Sequence, residues 1–261
     1  MLFRSKRNGA AAADVQVDVS DNFGIRKLHF GGDDTQSAMK LADPLDLVLA
    51  YTRCAFGFLL LADAPRDALL IGLGGGSIAK WIHAKMPDTR LTVVELHAQV
   101  VAVAHSMFFL PPDDERLDVQ VGDGSAWVYQ MEDASTDLII MDAYSASGIA
   151  EPLATVDFFN ACRDKLRADG VLAVNLWGSD KRFGQYRDRL AQAFDSRVLL
   201  LPARQKGNIM AFCFKRGFNN PAWAALSERA IKLEAQYGLE FSEFVADLAR
   251  LNTHNDRKLF I

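Results

Sequence analysis

Three acidic residues stand where the sequence predicts that buried strands end, and they are candidates for chemistry. Glu95 closes an apolar segment, Asp123 follows another within Gly-Asp-Gly, and Asp142 follows the apolar run 138–141. In an open α/β sheet, the carboxyl ends of the strands border the ligand-binding crevice. A carboxylate placed there can accept hydrogen bonds from sugar hydroxyls, bind a cationic amine or take up a proton.

A glycine-rich turn lies upstream of Glu95 and completes a unit that can bind a nucleotide-like ligand. Residues 67–96 read as an apolar strand, four glycines, a helix that Ser77 can cap, and a second strand. Glycines let the backbone approach a ligand closely, and a carboxylate after the second strand can accept both ribose hydroxyls. GxGGGS is a relaxed form of the dinucleotide fingerprint, so a tight turn without a ligand stays an alternative. The four glycines are Gly72, Gly74, Gly75 and Gly76.

Asp123 and Asp142 differ in how well a structural role explains them. The Gly-Asp-Gly context of Asp123 is typical of a turn or a helix cap, and such a role is compatible with a ligand contact. No basic residue close in sequence would neutralise Asp142 at the edge of the crevice. We therefore favour a functional role for Asp142.

The sequence lacks the motifs of several common types of reaction. The chain has no G-x-S-x-G, P-loop or H-E-x-x-H pattern, and none of its five histidines makes a metal-ligand spacing, so no metal is expected. His97 can line the site, although a lone histidine is more often a surface or packing residue. The aromatic residues interpreted as core are Trp81, Trp127 and Trp177.

Composition indicates an ordinary globular protein. The 261 residues are 50% hydrophobic and can bury a sizeable core, and a net charge of −4 gives no electrostatic footprint for nucleic acid. The longest apolar stretch, 54–62, is too short to span a bilayer, and no signal-peptide core follows the basic start. Three scattered cysteines indicate neither disulfides nor a metal cluster. We expect a cytoplasmic protein with neither a nucleic-acid nor a membrane partner.

The elements that must position these residues alternate between strand and helix from residue 67 to residue 176. A helix starting at Pro44 is predicted to precede them, and the short loop between the last two strands permits only antiparallel pairing. This pattern predicts an α/β, class I methyltransferase-like (Rossmann-like) doubly wound sheet with a terminal antiparallel hairpin. We divide the chain into a disordered tail (1–13), a small N-terminal β region containing a β-hairpin (14–42) and a Rossmann-like nucleoside-binding catalytic domain with C-terminal helices (43–261).

Nine segments together resemble the spermidine synthase (polyamine aminopropyltransferase) family, more closely its shorter bacterial spermidine synthase-like members. The similarity extends over nearly the whole chain. The segments are 24–30, 35–37, 50–53, 71–76, 93–96, 121–124, 140–144, 152–159 and 169–175.

The resemblance implies roles for individual residues. Glu95 would hold the ribose of an S-adenosyl compound, Asp123 would contact the adenine amine, and Gln36 would reach the ligand from the N-terminal region. Asp142 matches the catalytic aspartate, with Tyr51 or Tyr144 assisting it. The residues assigned to the nucleoside are Gln36, Gly72, Gly74, Gly75, Gly76, Glu95, Leu96, Asp123 and Gly124.

The implied reaction needs a base because an amine with a pKa near ~10 is protonated at neutral pH. Asp142 would deprotonate a small-molecule amine such as putrescine, which then attacks decarboxylated S-adenosylmethionine and releases methylthioadenosine. The donor is a co-substrate, so no tightly bound cofactor is expected. The resemblance also implies a homodimer.

Three departures from the family pattern keep other functions open. Gly75 and Ser145 stand where the family carries aspartates, and Arg53 stands where it carries a glutamate. Fewer anionic groups attract a dicationic diamine less strongly. A glycine at position 75 could also make room for the carboxylate of intact S-adenosylmethionine. The alternatives are therefore an S-adenosylmethionine-dependent methyltransferase and a non-catalytic nucleoside-binding homologue.

Overall fold

The computed structural model describes residues 15–32, 35–145, 148–204, 207–217 and 219–261, without the side chains of Tyr144 and Ser145. The tail predicted over 1–13 lies outside these ranges. An antiparallel sheet of three strands comes first in the described chain. The predicted hairpin is confirmed, and a third strand, which the sequence analysis did not predict, extends it. The strands are β1 (Val17–Asn22), β2 (Ile25–Phe30) and β3 (Thr35–Lys40).

A seven-stranded sheet forms the centre of the molecule. Its members are β4 (Asp67–Ile71), β5 (Arg90–Glu95), β6 (Leu117–Val121), β7 (Thr136–Met141), β10 (Leu166–Trp177), β11 (Val198–Pro202) and β12 (Asn208–Phe214). Between β7 and β10 lies a short hairpin whose two strands, β8 (Tyr144–Ser145) and β9 (Gly148–Ile149), have two residues each. The spatial order is β11-β12-β10-β7-β4-β5-β6, and β12 runs antiparallel to both neighbours. This order confirms the predicted class I methyltransferase-like fold.

Helices cover both faces of the sheet. They are α1 (Ala50–Cys54), α2 (Ser77–Lys85), α3 (Ala98–Met107), α4 (Gly124–Gln130), α5 (Val156–Lys165), α6 (Phe183–Ala193), α7 (Trp223–Tyr237) and α8 (Phe241–Leu248). Two 3₁₀ turns, Ala55–Leu60 and Glu151–Ala154, join them. Among the described residues, no helix is long and apolar enough to cross a membrane.

Alternation along the strands builds two core layers. Leu70 of β4 packs with α2, α7 and α8, whereas its neighbours Leu69 and Ile71 pack with α4, α5 and α6 on the opposite face. Successive strand side chains point to opposite faces, so strands covered on both sides are apolar throughout. A third cluster of Leu28, Met39 and Phe108 docks the three-stranded sheet against the end of α3.

Two predicted helix starts are wrong. The helix expected from Pro44 begins at Ala50, because residues around Pro44 form a turn in which Asp46 N donates to Asp43 O at 3.1 Å. Ser77 is the first residue of α2 rather than its cap. Gly76 occupies the cap position at φ +72°, a conformation that glycine adopts readily.

Candidate active site

The carboxyl ends of the parallel strands open into one cleft with a volume of about 930 Å³. Its walls also include residues from β3 and α1. The structure brings nine of the predicted site residues to this cleft: Gln36, Tyr51, Gly72, Gly74, Glu95, Leu96, Asp123, Gly124 and Asp142. Gly75 and Gly76 do not line it, and the side chain of Tyr144 lies outside the described part of the chain.

Gly72 lets the ends of β4 and β7 meet. Its φ is +92°, and a Cβ at this position would lie 2.9 Å from the carbonyl carbon of Asp142. The Asp142 amide donates to the carbonyl oxygen of Ile71 at 2.9 Å, which holds the two strand ends together. A side chain at position 72 would push Asp142 away from the cleft.

Gly75 is enclosed by protein. A Cβ here would lie 2.7 Å from Cδ1 of Phe108 and 2.8 Å from Oγ of Ser37. Phe108 is fully buried, so it cannot move aside cheaply. This chain therefore has no space for the carboxylate that its family resemblance leads one to expect at position 75.

The Glu95 carboxylate is 7% exposed and is held by two backbone amides. Leu73 N donates to Oε2 and His97 N donates to Oε1, each at 2.9 Å. Each carboxylate oxygen has two lone pairs, so each can accept one more hydrogen bond. Two acceptors fixed in this way suit a pair of adjacent hydroxyls.

Asp123 is the N-cap of α4, as the sequence predicts. Its Oδ1 accepts from Ser125 N at 2.7 Å and from Ala126 N at 3.2 Å. The side chain also borders the cleft. Capping and a ligand contact are thus compatible in space, and the ligand contact stays a prediction.

Asp142 lies within a chain of hydrogen bonds that crosses three elements. The Tyr51 hydroxyl donates to its Oδ2 at 3.2 Å, and Asn175 Nδ2 donates to its Oδ1 at 2.9 Å. Asn208 Nδ2 in turn donates to Asn175 Oδ1 at 3.0 Å. These bonds orient the carboxylate toward a defined position in the cleft.

The surroundings of Asp142 suit a group that accepts a proton near neutral pH. Burial raises its pKa to about 6, and the negative charge of Glu95 adds to the rise. Hydrogen bonds from Asn175 and Tyr51 oppose the rise by stabilising the ionised form. Burial, together with the charge of Asp142, raises the pKa of Tyr51 well above 10, so its hydroxyl stays protonated and acts as the donor.

Several residues that line the cleft were not assigned to it from sequence. They include Asn175, Trp177, Asp180, Arg182 and Asn208. The interpretation of Trp177 as a core residue is wrong, because it is 40% exposed at the carboxyl end of β10. The strand-end rule applied to β10 would have found Asn175 and Trp177. Asn208 is paired with Trp177 in the β10–β12 register, and no local sequence signal indicates that partnership.

Comparisons with known proteins find relatives that extend over nearly the whole chain. The model of the spermine/spermidine synthase domain matches residues 48–197. A polyamine aminopropyltransferase of Chromobacterium violaceum is 39% identical over 259 residues, which is 99% of both chains. One of Neisseria meningitidis is 38% identical over 243 residues, covering 93% of this chain and 92% of the relative.

Solved structures share the fold at lower sequence identity. A spermidine synthase in complex with the transition state analogue AdoDATO superposes with a TM-score of 0.72 at 19% identity, covering 92% of this chain and 83% of that one. A probable spermidine synthase from Corynebacterium glutamicum gives 0.71 at 20% identity, covering 92% and 95%. With its full-length relatives and its matching domain, this chain belongs to the spermine/spermidine synthase family.

Proposed function

We propose that this enzyme transfers the aminopropyl group of decarboxylated S-adenosylmethionine to a small amine such as putrescine. The observation that carries the proposal is the partly buried Asp142, held by Tyr51 and Asn175 in the same cleft as Glu95. The names of the full-length relatives and the analogue bound to the structural neighbour support the reaction class. Asp142 combines a strand-end position with a pKa of about 6.

The donor is proposed to lie along the ends of β4, β5 and β6. The remaining lone pairs of Glu95 accept the ribose hydroxyls, and Asp123 accepts from the adenine amine. The backbone of the glycine turn approaches the sulfonium end of the donor, where a residue without a Cβ leaves space for it. The other residues proposed to contact the donor are Gln36, Gly72, Gly74, Leu96 and Gly124.

Asp142 is the proposed base. Its carboxylate takes a proton from the ammonium of the acceptor, and the freed nitrogen lone pair attacks the propyl carbon bonded to the sulfonium. A C–N bond forms, the C–S bond breaks, and its electron pair stays on sulfur in methylthioadenosine. Tyr51 keeps its proton and holds the carboxylate in place, so its role is positioning. Tyr144 remains a proposed assistant.

The reaction is tested by incubating the protein with decarboxylated S-adenosylmethionine and putrescine and measuring methylthioadenosine. Parallel calorimetry compares binding of this donor, S-adenosylmethionine and methylthioadenosine. We expect product release and tighter binding of the decarboxylated donor. Preference for S-adenosylmethionine with release of S-adenosylhomocysteine would contradict the proposal in favour of methyl transfer. Binding without product release would indicate a non-catalytic nucleoside-binding homologue, and absence of binding would indicate a protein that keeps the fold without its ligand.

The variant Asp142→Asn separates binding from chemistry. Removing a general base lowers rates by roughly 10²–10⁴-fold, so we expect kcat to fall by that factor while methylthioadenosine binds as in the wild type. Asp118→Asn is the control, because Asp118 is exposed on β6. Wild-type turnover in Asp142→Asn would remove this residue from the mechanism.

We also propose that the enzyme works in the cytoplasm as a homodimer, with residues 14–42 and 43–261 as its two structural units. Gln36 and Ser37 of the smaller unit line the cleft, which gives that unit a part in donor binding.

A further inference from the structure

A fourth carboxylate, in addition to those of Glu95, Asp123 and Asp142, borders the same cleft. Asp180 follows β10 in the loop before α6, and its side chain is 13% exposed. Its amide donates to the carbonyl oxygen of Trp177 at 3.0 Å, which makes a tight turn directly after the strand. The turn places Asp180 beside the cleft wall that Trp177 and Asn175 form.

Asp180 lies against the β8–β9 hairpin. A Cβ on Gly148 would be 2.8 Å from Asp180 Oδ2, and Arg182 Nη2 lies closer still to that position. Ser145 belongs to the same hairpin. The β10–α6 loop thus brings the Asp180 carboxylate, paired with Arg182, to this part of the cleft.

The charge on Asp180 is maintained by Arg182. The Arg182 amide and Nε donate to Oδ1 at 2.8 and 3.3 Å, and Nη2 donates to Oδ2 at 3.2 Å. These contacts lower the pKa of Asp180, so it is ionised throughout the neutral range. A carboxylate offers about four lone-pair positions, which leaves capacity for a further donor. The exposed Trp177 indole adds an aromatic surface of the kind that attracts ammonium groups.

We propose that Asp180 binds the distal ammonium of a primary diamine whose other amine is deprotonated by Asp142. This inference rests on the proposed aminopropyl transfer and assigns the residue that selects diamines over monoamines. Asp180 is a specificity residue here, and Arg182 positions its carboxylate.

Binding of amines in the presence of methylthioadenosine tests the assignment without requiring turnover. Calorimetry compares 1,4-diaminobutane with n-butylamine on the wild type, Asp180→Asn and the control Asp188→Asn, whose site is exposed on α6. We expect the wild type and the control to prefer the diamine by roughly tenfold or more, the usual contribution of a hydrogen bond to a charged group. Asp180→Asn should lose that preference while n-butylamine and methylthioadenosine bind as before.

Two results would overturn the assignment. Equal weakening of both amines in Asp180→Asn would show that the residue only supports the hairpin through Arg182, and an unchanged diamine preference would place the distal ammonium elsewhere. If Asp180→Asn does not fold, as judged by its melting curve, equal affinity of the wild type for the two amines is the overturning result. Failure of aminopropyl transfer is recognised separately, as absence of methylthioadenosine release by a wild type that still discriminates between the amines.

Discussion

At the scale of single residues, Asp142 balances two requirements of a base. It must be ionised at pH 7 and yet basic enough to take a proton from an amine, and a pKa of about 6 meets both. Burial supplies the upward shift, while Asn175 and Tyr51 limit it by donating to the ionised form. The two hydrogen bonds therefore tune the base in addition to orienting it.

Removing one hydrogen-bond donor from Asp142 should shift the pKa of its carboxyl in a known direction. Asn175→Ala takes away a hydrogen bond that favours the ionised carboxylate, so the pKa of Asp142 should rise above about 6. A larger fraction of the variant is then protonated at acidic pH, and its kcat/KM should fall earlier as pH decreases. Both enzymes use the same amine, so the effect of its ionisation divides out of the ratio of wild-type to variant kcat/KM. This ratio should increase as pH falls from 8 to 6.

Asn219→Ala, an exposed substitution, is the control for this series and should keep the ratio constant. A ratio for Asn175→Ala that stays flat or falls toward acidic pH would mean that Asn175 does not tune Asp142.

Restoring the family carboxylate at position 75 should harm this chain. Gly75→Asp forces a Cβ against the fully buried Phe108 ring and the Ser37 hydroxyl. Overpacking of this kind costs about 1–3 kcal/mol, which denaturant unfolding can measure. Gly184→Asp is the matched control, because nothing lies within 4 Å of a Cβ there. A Gly75→Asp variant with wild-type stability and tighter donor binding would refute the steric argument.

At the scale of elements, Lys80 of α2 connects its helix to β3 and to the end of α3. It is 3% exposed on α2, its Nζ donates to the carbonyl oxygen of Phe108 at 2.6 Å, and it contacts Met39 Sδ of β3 at 3.1 Å. Phe108 directly follows α3 and closes the space beside Gly75. The lysine thus docks the three-stranded sheet and the end of α3 onto the helix that begins at the glycine turn.

This contact predicts a stability change with pH. Burial lowers the pKa of Lys80 to about 8, whereas an unfolded lysine titrates near 10.4. Between these values the unfolded state holds a proton that the folded state has released, so the folded state gains stability as pH rises. The free energy of unfolding of the wild type relative to Lys80→Met should increase from pH 8 to pH 10.4.

Lys85→Met on the exposed face of the same helix is the control, and its difference from the wild type should not vary over this range. Equal pH profiles for Lys80→Met and the wild type would show that Lys80 titrates normally in the folded protein.

At the scale of the whole molecule, we expect two chains to associate. Family resemblance motivates this expectation, and the chain mass of 28.8 kDa makes the two states easy to distinguish. Sedimentation equilibrium at micromolar concentration should give twice the chain mass. A species of 28.8 kDa under the same conditions would contradict the homodimer.

Most of the architecture could be predicted because it depends on local pattern. Apolar runs marked β5, β6 and β7 to within about a residue of their observed bounds, and the parallel alternation implied that Glu95, Asp123 and Asp142 share one sheet edge. These features follow from the period of side chains along a strand and from the common direction of parallel strands.

Other features depend on contacts between segments distant in sequence, and only the tertiary structure decided them. Asn208 reaches Asn175 because β12 inserts antiparallel beside β10, and Phe108 fills the space beside Gly75 because α3 ends against α2. Asp180 faces the β8–β9 hairpin across more than thirty residues of chain. The sequence by itself determined which strand ends carry the chemistry, because hydrophobic periodicity locates the strands and the polar residues that follow them. Which side chains surround them was decided by tertiary packing, because it depends on distances between elements that no local pattern encodes.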